Sequence, residues 1–523
     1  MPDLRLRTGA AFYLLTALSL SLGWGIRGNF GHEYGAMIPG ALAAMAAVLL
    51  SGRRDWYGRL PFFAMFGALG WSFGGSISYM WVIGYTHSGH SPSVLYGFAS
   101  LFVIGFLWAA PGGAGTALPA EASRDRLVEL FPPIAAVFAA WQVQGRLLQP
   151  WLQSQGYNLD WYDSDWLGVI VALAATLAYA GTRRRVDRAA SLILYMTIGW
   201  LIGFVTLVPI LGLRMTPPRG DNWAGCLGMV AGMLAYCLRN ELPQVARAAV
   251  VTGVVGGISF AGASMIKLVA VTSGYKTNWH SVLEQTTGLI NGLGLALAVA
   301  ALAKRVGRVD DEVAVPPSRR WPERLAVAFT LLAIPLVNFR KSVGHWVDVQ
   351  AVPALMYGVP AEGWFDLGFA ILTTALFILM IRHDRRPIAA VPESALGRGQ
   401  SLYLMLLAIV VVGNFGKAVV KFADQRLITE GVVYANAVIC ALILLLASPS
   451  RDESAGSFEA PTPRDRPVRW GRLVAIGVLA SVLAILADWA IVRAIYGDRF
   501  AGHAGLHIRF GPNATGNIPT KHP

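Results

Sequence analysis

Charged residues are scarce in this chain. Asp, Glu, Lys and Arg together make up 14% of its 523 residues, whereas hydrophobic residues make up 55%. Soluble globular proteins carry about 25% charged residues, so the composition excludes an ordinary soluble protein of this length. The apolar residues fall into segments of roughly 12 to 25 residues, and a helix that spans a membrane needs about 20. We therefore expect a polytopic all-α membrane protein.

Cysteine is scarcer still, and signatures of catalysis are missing. Cys226, Cys237 and Cys440 lie in apolar segments, at spacings that suit neither zinc ligation nor a disulfide framework. The sequence has no P-loop, no dinucleotide-binding glycine fingerprint, no Gly-x-Ser-x-Gly and no His-Glu-x-x-His motif. We therefore predict no catalytic residue, no metal site and no cofactor. The basic segments lack interleaved aromatic residues, which argues against nucleic acid as a partner.

About fifteen apolar segments alternate with polar ones along the chain. We predict that each forms a transmembrane helix, so that membrane lipids surround the protein. The predicted spans are 9–26, 34–50, 61–83, 94–112, 131–149, 166–181, 190–213, 222–238, 247–273, 281–303, 323–339, 364–381, 401–420, 431–448 and 471–496.

Lys and Arg are concentrated in alternate loops. Basic runs such as Arg53-Arg54 and Arg183-Arg184-Arg185 fall on one predicted side, whereas segments 84–93 and 150–165 on the other side contain no Lys or Arg. Basic loops stay in the cytoplasm, so the pattern predicts a cytoplasmic amino terminus and, with an odd number of spans, an external carboxyl terminus. We expect the protein in the plasma (inner) membrane of a bacterium.

Three weak internal matches indicate one repeat period. Gly84–Ser91 matches Gly274–Ser281 at a shift of 190 residues, and Arg27–Met37 matches Arg219–Met229 at a shift of 192. The tetrapeptide Gly-Asn-Phe-Gly recurs at a shift of 385, about twice that period. A fixed period indicates repeated structural units. We predict a first six-helix unit (1–189), a second six-helix unit (190–400), a three-helix half-repeat (401–496) and an external tail (497–523).

The loop after the second predicted helix reads GRRDWYGR, Gly52–Arg59. It resembles the Gly-x-x-x-Asp-Arg-x-Gly-Arg motif of the major facilitator superfamily, with Asp55, Gly58 and Arg59 at the matching places. It is one residue shorter between Gly and Asp, and Trp56 stands where that family has Arg or Lys. Together with two parallel six-helix units, the resemblance implies a transporter whose units rock about a central site. It covers the first twelve helices and leaves the last three unexplained.

A few ionisable residues lie within apolar segments, where they normally face the bundle interior and pair. Lys267 has apolar neighbours on both sides, and Glu284 and Asn291 are seven residues apart on one helix face. We predict that Lys267 pairs with Glu284, as a proton or ligand site or as an ion pair that only fixes packing. The predicted solute-binding residues are Arg27, His32, Glu33, Lys267, Glu284, Asn291, Asn338, Arg340, His345 and Asp488.

These features favour a secondary transporter of a small polar or anionic solute, with Glu284 or Asp488 available for proton coupling. The alternative is a membrane-embedded enzyme that acts at the outer face on a lipid-linked or polysaccharide substrate, with acid and base groups among His32, Glu33, Asp348, His503 and His507. A third class of function is a membrane scaffold for a complex of partner proteins. Polar residues contributed by both units would favour transport, whereas residues from one unit around a lateral opening would favour the enzyme. The oligomeric state stays open.

Overall fold

The computed structural model describes residues 3–30, 33–73, 77, 79–215, 221–307, 320–386, 395–420, 427–446 and 468–497. Nearly all of these residues are helical. The helices are α1 (Asp3–Phe30), α2 (Glu33–Leu49), α3 (Arg54–Tyr57), α4 (Leu60–Ser72), α5 (Met80–Tyr85), α6 (Ser91–Glu121), α7 (Arg124–Glu129), α8 (Phe131–Val143), α9 (Gln149–Ser154), α10 (Trp166–Arg183), α11 (Arg188–Val205), α12 (Asn222–Arg239), α13 (Pro243–Val271), α14 (Trp279–Ala303), α15 (Trp321–Ala328), α16 (Ile334–Asp348), α17 (Ala361–Arg385), α18 (Ala395–Val420), α19 (Leu427–Leu446) and α20 (Trp470–Tyr496).

Short π-helical turns extend three of these helices, at Gln144–Leu148, Thr206–Ile210 and Phe329–Ala333. The strands of the described part form one antiparallel hairpin, β1 (Leu355–Met356) with β2 (Val359–Pro360), which precedes α17. The architecture is therefore all-α, as the composition predicts.

Twelve helical stretches of the described chain are long and apolar enough to cross a membrane. Two further apolar helices are shorter, Tyr34–Leu49 and Leu60–Ser72. Every predicted span overlaps at least one helix. The predicted span 222–238 corresponds to α12, which belongs neither to the twelve long stretches nor to the two shorter helices. The structure thus confirms a polytopic α-helical membrane protein, while the number of about fifteen crossings stays a prediction.

The third predicted span, 61–83, is not one continuous helix. The helix that begins at Leu60 ends at Ser72, and a second short helix begins at Met80. The sequence between them, Phe-Gly-Gly-Ser-Ile-Ser-Tyr, is rich in Gly and Ser, which are poor helix formers. Tyr79 stands directly before the second helix and therefore lies at a break within an apolar span.

Six helices form a closed ring in which each packs against the next. The order is α1, α2, α4, α6, α13, α14 and back to α1. Glycines allow close backbone approach within it: a Cβ on Gly105 of α6 would lie 2.3 Å from the carbonyl oxygen of Gly256 in α13. Four of these helices come from the predicted first unit and two from the second, so the ring contains parts of both.

The other helices pack around this ring. Helices α11 and α12 pack closely through Gly199, Gly203, Gly228 and Gly232, and α10 lies beside α11. Of the last three helices, α18 contacts α2, α19 contacts α1, and α20 contacts α13 and α6. Many Leu, Ile and Val side chains on α17, α19 and α20 are exposed, as expected for surfaces that face lipid.

Candidate functional site

A buried ion pair connects two neighbouring helices of the ring, α1 and α14. Arg27 lies in the last turn of α1, and Glu284 lies in the second turn of α14. Nη1 of Arg27 donates a hydrogen bond of 2.8 Å to Oε1 of Glu284, and the side chains are only 2% and 4% exposed. Charges buried this far from water need partners, because an isolated one would cost several kcal/mol.

Two tryptophans hold the Arg27 guanidinium. Its central carbon lies 5.1 Å from the ring centre of Trp24 in α1 and 5.4 Å from that of Trp108 in α6. A cation within about 6 Å of an indole face is attracted by the ring's negative face. Arg27 is therefore placed by three helices: its own, the helix of Glu284 and the helix of Trp108.

Tyr79 and His280 complete the polar part of the site. The Tyr79 hydroxyl lies 3.5 Å from Oε1 of Glu284 and 3.4 Å from Nε2 of His280. Nε2 of His280 is 3.4 Å from the same carboxylate oxygen, and the Tyr79 and His280 rings are stacked. His280 is 43% exposed, whereas Glu284 beneath it is buried. The histidine therefore connects the buried ion pair to the surface of the molecule.

Aromatic side chains of the ring helices pack beside this ion pair. Trp108, Tyr79 and Phe260 contact one another, with ring centres 4.7 to 5.5 Å apart. Trp71 of α4 meets Trp24 edge to face, with ring centres 5.6 Å apart. Large aromatic surfaces with a few placed polar groups are typical of small-molecule sites.

A polar stripe continues from Glu284 along the ring. Thr287 and Asn291 follow on α14, and Ser259 of α13 donates a 2.6 Å hydrogen bond to the Thr287 carbonyl oxygen. Buried polar atoms normally have partners, so those without one mark places suited to water or to polar groups of a ligand. Among the described residues, such atoms in the ring include Asn291 Oδ1, Thr287 Oγ1, Thr252 Oγ1, Trp71 Nε1 and Trp108 Nε1.

The predicted pairing of Lys267 with Glu284 is wrong. Glu284 pairs with Arg27, because α1 packs against α14 and brings the guanidinium to the carboxylate. Lys267 is half-buried on α13 and forms no ion pair or hydrogen bond in the described part of the chain. Adjacency in sequence suggested the wrong neighbour.

Other predicted site residues lie in contacts of their own. Asn338 is buried in α16 and donates to the carbonyl oxygens of Tyr34 and Ile334, at 3.0 and 2.8 Å. Arg340 forms an exposed pair with Asp366, at 3.2 Å. Asp488 is buried in α20, outside the ring. His32 and the side chains of Glu33 and His345 lie outside the described residues.

The predicted solute-binding residues do not include Trp24, Trp108, Tyr79 or His280. Tryptophans in an apolar segment cannot be distinguished from core residues by sequence alone. Tyr79 carried a usable signal, since it ends a Gly- and Ser-rich stretch within a span, and such breaks line sites in transporters.

A second buried ion pair lies between α11 and α12, where Asp221 directly precedes α12. Arg214 donates to the Asp221 carboxylate, whose other oxygen accepts from the Met215 backbone N–H at 3.1 Å. Burial raises the pKa of the Asp221 carboxyl, and Arg214 opposes that shift. The Tyr162 ring lies 4.8 Å from the Arg214 guanidinium. These contacts tie the connection between two helices to a neighbouring loop.

No known protein family, curated protein or solved structure matches the chain. Among the described residues, no three His, Cys, Asp or Glu side chains are grouped so that they could hold a metal ion.

Proposed function

We propose that this protein is a secondary transporter that binds a small polar or anionic solute within the six-helix ring, at Arg27 and Glu284. The observation that carries this proposal is the buried ion pair between the two predicted units: Arg27 belongs to 1–189 and Glu284 to 190–400. Polar groups contributed by both units favour a site between them over a lateral active site in one unit.

A purely structural role explains the pair poorly. Burying two charges costs more desolvation energy than their attraction returns in many proteins, and apolar replacements are often as stable. Ionisable residues within membrane spans therefore usually serve a function. Here the pair also lies beside Tyr79 at a helix break, and His280 leads from it to the surface.

The side chains of the site limit which functional groups a bound solute can carry. The Arg27 guanidinium is a planar donor that suits a carboxylate, a phosphate or several hydroxyl groups. The Glu284 carboxylate occupies this donor in the structure, so an anionic group of a solute would compete with Glu284. The tryptophan and tyrosine rings would cover the apolar faces of a solute of modest size.

This competition suggests how binding could be linked to movement. The ion pair holds α1 and α14 together and so connects the predicted units. A solute that takes the place of Glu284 on Arg27 would release that connection, and release of the solute would restore it. If the units rock as the family resemblance implies, the ion pair then opposes movement of the empty carrier.

Uptake into proteoliposomes tests the proposal. The purified protein is first screened by thermal shift against carboxylates, amino acids and sugars, and the stabilising solute is then used in radiolabelled form. We expect Glu284→Gln and Arg27→Gln to remove uptake, and the exposed Arg340→Gln to retain it.

The double variant Arg27→Met/Glu284→Gln separates function from packing. If the pair only fixes packing, removal of both charges removes the desolvation cost together with the attraction, and uptake persists. We expect a folded protein without uptake. Full uptake by the double variant would exclude both residues from the mechanism.

A further inference from the structure

Helix α20 carries one carboxyl on its buried face. Asp488 and Val492 are its two buried residues, one turn apart, and Asp488 is only 5% exposed. The surrounding apolar side chains, such as Leu483 and Leu486, are exposed at the surface expected to face lipid. Because α20 packs against α13 and α6, Asp488 faces these helices and not lipid.

The Asp488 carboxyl has no partner among the described residues. Its Oδ2 atom is fully buried and accepts no hydrogen bond. The other four buried carboxylates of the described chain each accept at least one hydrogen bond. Asp187 accepts from Ala190 N–H, Asp221 from Met215 N–H, Glu284 from Arg27 and Glu430 from Asn414.

Among the residues that the structure describes, the ionisable groups on neighbouring elements do not neutralise Asp488. On α13, Lys267 forms no ion pair with it. At the beginning of α6, His90 is bonded to Ser93, and the Tyr96 hydroxyl donates to the Met215 carbonyl oxygen. On α20 itself, Arg493 donates to the carbonyl oxygens of Gly89 and Gly497, and Tyr496 donates to that of Leu268.

A carboxylate in this position would be an unpaired charge in an apolar environment, which costs several kcal/mol; a protonated carboxyl avoids that cost. We propose that Asp488 is a proton-binding site, separate from the Arg27–Glu284 site and occupied by a proton in the state described by this structure.

The position of Asp488 allows exchange with the aqueous phase. It lies eight residues before the end of α20 at Tyr496, about 12 Å along the helix. The adjacent Trp489 indole N–H contacts Ser91, the first residue of α6, at 3.2 to 3.3 Å. Asp488 is therefore near the polar end of two helices, on the side that the charge pattern predicts to be external.

The proton site also suggests a coupling step, which rests on the proposed transport function. Glu284 is held by Arg27 at 2.8 Å, so its proton uptake would require that pair to open. Asp488 needs no such opening. We assign the coupled proton to Asp488 and the solute to Arg27 and Glu284.

Dicyclohexylcarbodiimide tests the proton site directly, because this apolar reagent reacts with protonated carboxyls inside membranes. The carboxyl proton moves to one carbodiimide nitrogen while a carboxylate oxygen bonds to the central carbon. The acyl group then shifts to nitrogen, which gives a stable N-acylurea that retains all atoms of both reactants. Peptide mass spectrometry of the full-length protein in lipid vesicles locates this adduct.

We expect Asp488 to be labelled in acidic buffer and labelling to decline severalfold in alkaline buffer. Asp488→Asn should lose this adduct, whereas the control Glu284→Gln should retain it. No adduct on Asp488, or equal labelling across the pH range, would overturn the proposal.

Uptake measurements on Asp488→Asn test the coupling assignment separately from the existence of the proton site. Under the coupling assignment, this variant should lose uptake driven by a pH gradient but retain exchange of labelled for unlabelled solute. pH-dependent labelling in a protein that transports nothing would refute the transport function and leave the proton site standing. Unchanged gradient-driven uptake by Asp488→Asn would overturn the coupling assignment.

Discussion

At the residue scale, the Arg27 guanidinium is the group that contacts side chains from three helices of the site. It donates to Glu284 and lies against Trp24 and Trp108, so its charge is satisfied by one carboxylate and two aromatic faces. Arginine suits this environment because its delocalised charge is weakly hydrated and its plane can stack on rings. Lysine could not provide both the planar donors and the stacking.

The stability of variants that lack the charge of Arg27 or of both Arg27 and Glu284 should depend on how completely this ion pair is buried. Arg27→Met leaves Glu284 as an uncompensated buried charge and should destabilise the protein by about 3–5 kcal/mol. The double variant Arg27→Met/Glu284→Gln should recover most of this loss, because no charge is left unpaired. Unfolding in detergent, followed by tryptophan fluorescence, measures the effect.

The exposed pair of Arg340 and Asp366 is the matched control, since these side chains are 56% and 37% exposed. Exposed pairs contribute about 0–1 kcal/mol, so Arg340→Met should change stability little. A double variant less stable than Arg27→Met would contradict our description of the pair.

The individual site residues were partly predictable from sequence. Arg27 and Glu284 were identified because charges next to or within apolar segments are costly. Their pairing was not identified, because they are 257 residues apart and only helix packing brings them together. Lys267 was assigned to Glu284 from sequence proximity, which does not determine the relative rotation of two helices about their axes.

At the element scale, α13 contacts its neighbours through glycine faces. A Cβ on Gly256 would lie 2.3 Å from the Ala109 Cβ and 2.7 Å from the Gly105 carbonyl oxygen, both in α6. Gly262, on the same helix, has open space where its Cβ would be. Gly256 therefore permits the close packing of α13 against α6, whereas no neighbouring atom requires a glycine at position 262.

Alanine at these two positions should have opposite effects. Gly256→Ala should separate α13 from α6 and cost about 1–3 kcal/mol through overpacking. Gly262→Ala should be neutral or stabilise the helix by about 0.5–1 kcal/mol, because alanine is the better helix former. Thermal unfolding of both variants in the same detergent compares them, and equal destabilisation would contradict the packing described for Gly256.

The loop that resembles the major facilitator motif caps two ring helices. Arg53 donates to the carbonyl oxygen of Ala303, the last residue of α14, and to those of Val306 and Gly307 just after it, at 2.8 to 3.0 Å. Arg59 donates in the same way to Pro119 and Ala122 at the end of α6, both at 2.8 Å. Carbonyl groups at and just after a helix end lack intrahelical partners, and the guanidinium groups satisfy several of them here.

Removal of the Arg53 cap should weaken the attachment of α14. Arg53 also forms a bidentate salt bridge with Asp55, with hydrogen bonds of 2.6 and 2.8 Å. Arg53→Gln therefore removes the donor from both the Asp55 carboxylate and the carbonyl groups. We expect a loss of about 1.5–3 kcal/mol, the range for hydrogen bonds to charged groups. The adjacent Arg54→Gln, at an exposed position, is the control. Hydrogen exchange at the end of α14 should increase only for Arg53→Gln.

Helix existence was more predictable than helix continuity. Each predicted apolar segment contains at least part of a helix, because a chain in lipid must satisfy its own backbone hydrogen bonds. The break between Ser72 and Met80 was missed, because the hydropathy of 61–83 stays high across it. The Gly and Ser residues between Ser72 and Met80 have weak helix propensity, but the length of the apolar segment favours a single span.

At the scale of the whole molecule, hydropathy determines that the helices cross the membrane but does not determine which ones are neighbours. The ring combines α1, α2, α4 and α6 with α13 and α14, and no periodicity in the sequence predicts that closure. The superposition of the units 1–189 and 190–400, with the half-repeat 401–496, stays a prediction. The same holds for the orientation in the membrane.

Cysteine labelling determines the orientation. Cys226, Cys237 and Cys440 are buried, so the unmodified protein should react little with impermeant maleimides. Ser154 and Thr182 are exposed and lie on opposite predicted sides, which makes them suitable single reporters. Ser88, in another predicted outer segment, is unsuitable because it is 1% exposed.

The basic residues next to Thr182, Arg183 to Arg185, should remain in the cytoplasm, whereas the segment 150–165 has no Lys or Arg to retain it there. We therefore expect Ser154→Cys in intact cells to react with an impermeant maleimide, and Thr182→Cys to react only after the membrane is opened. The reverse pattern would place His280 on the cytoplasmic side of the site, so that the solute would approach the Arg27–Glu284 pair from the cytoplasm.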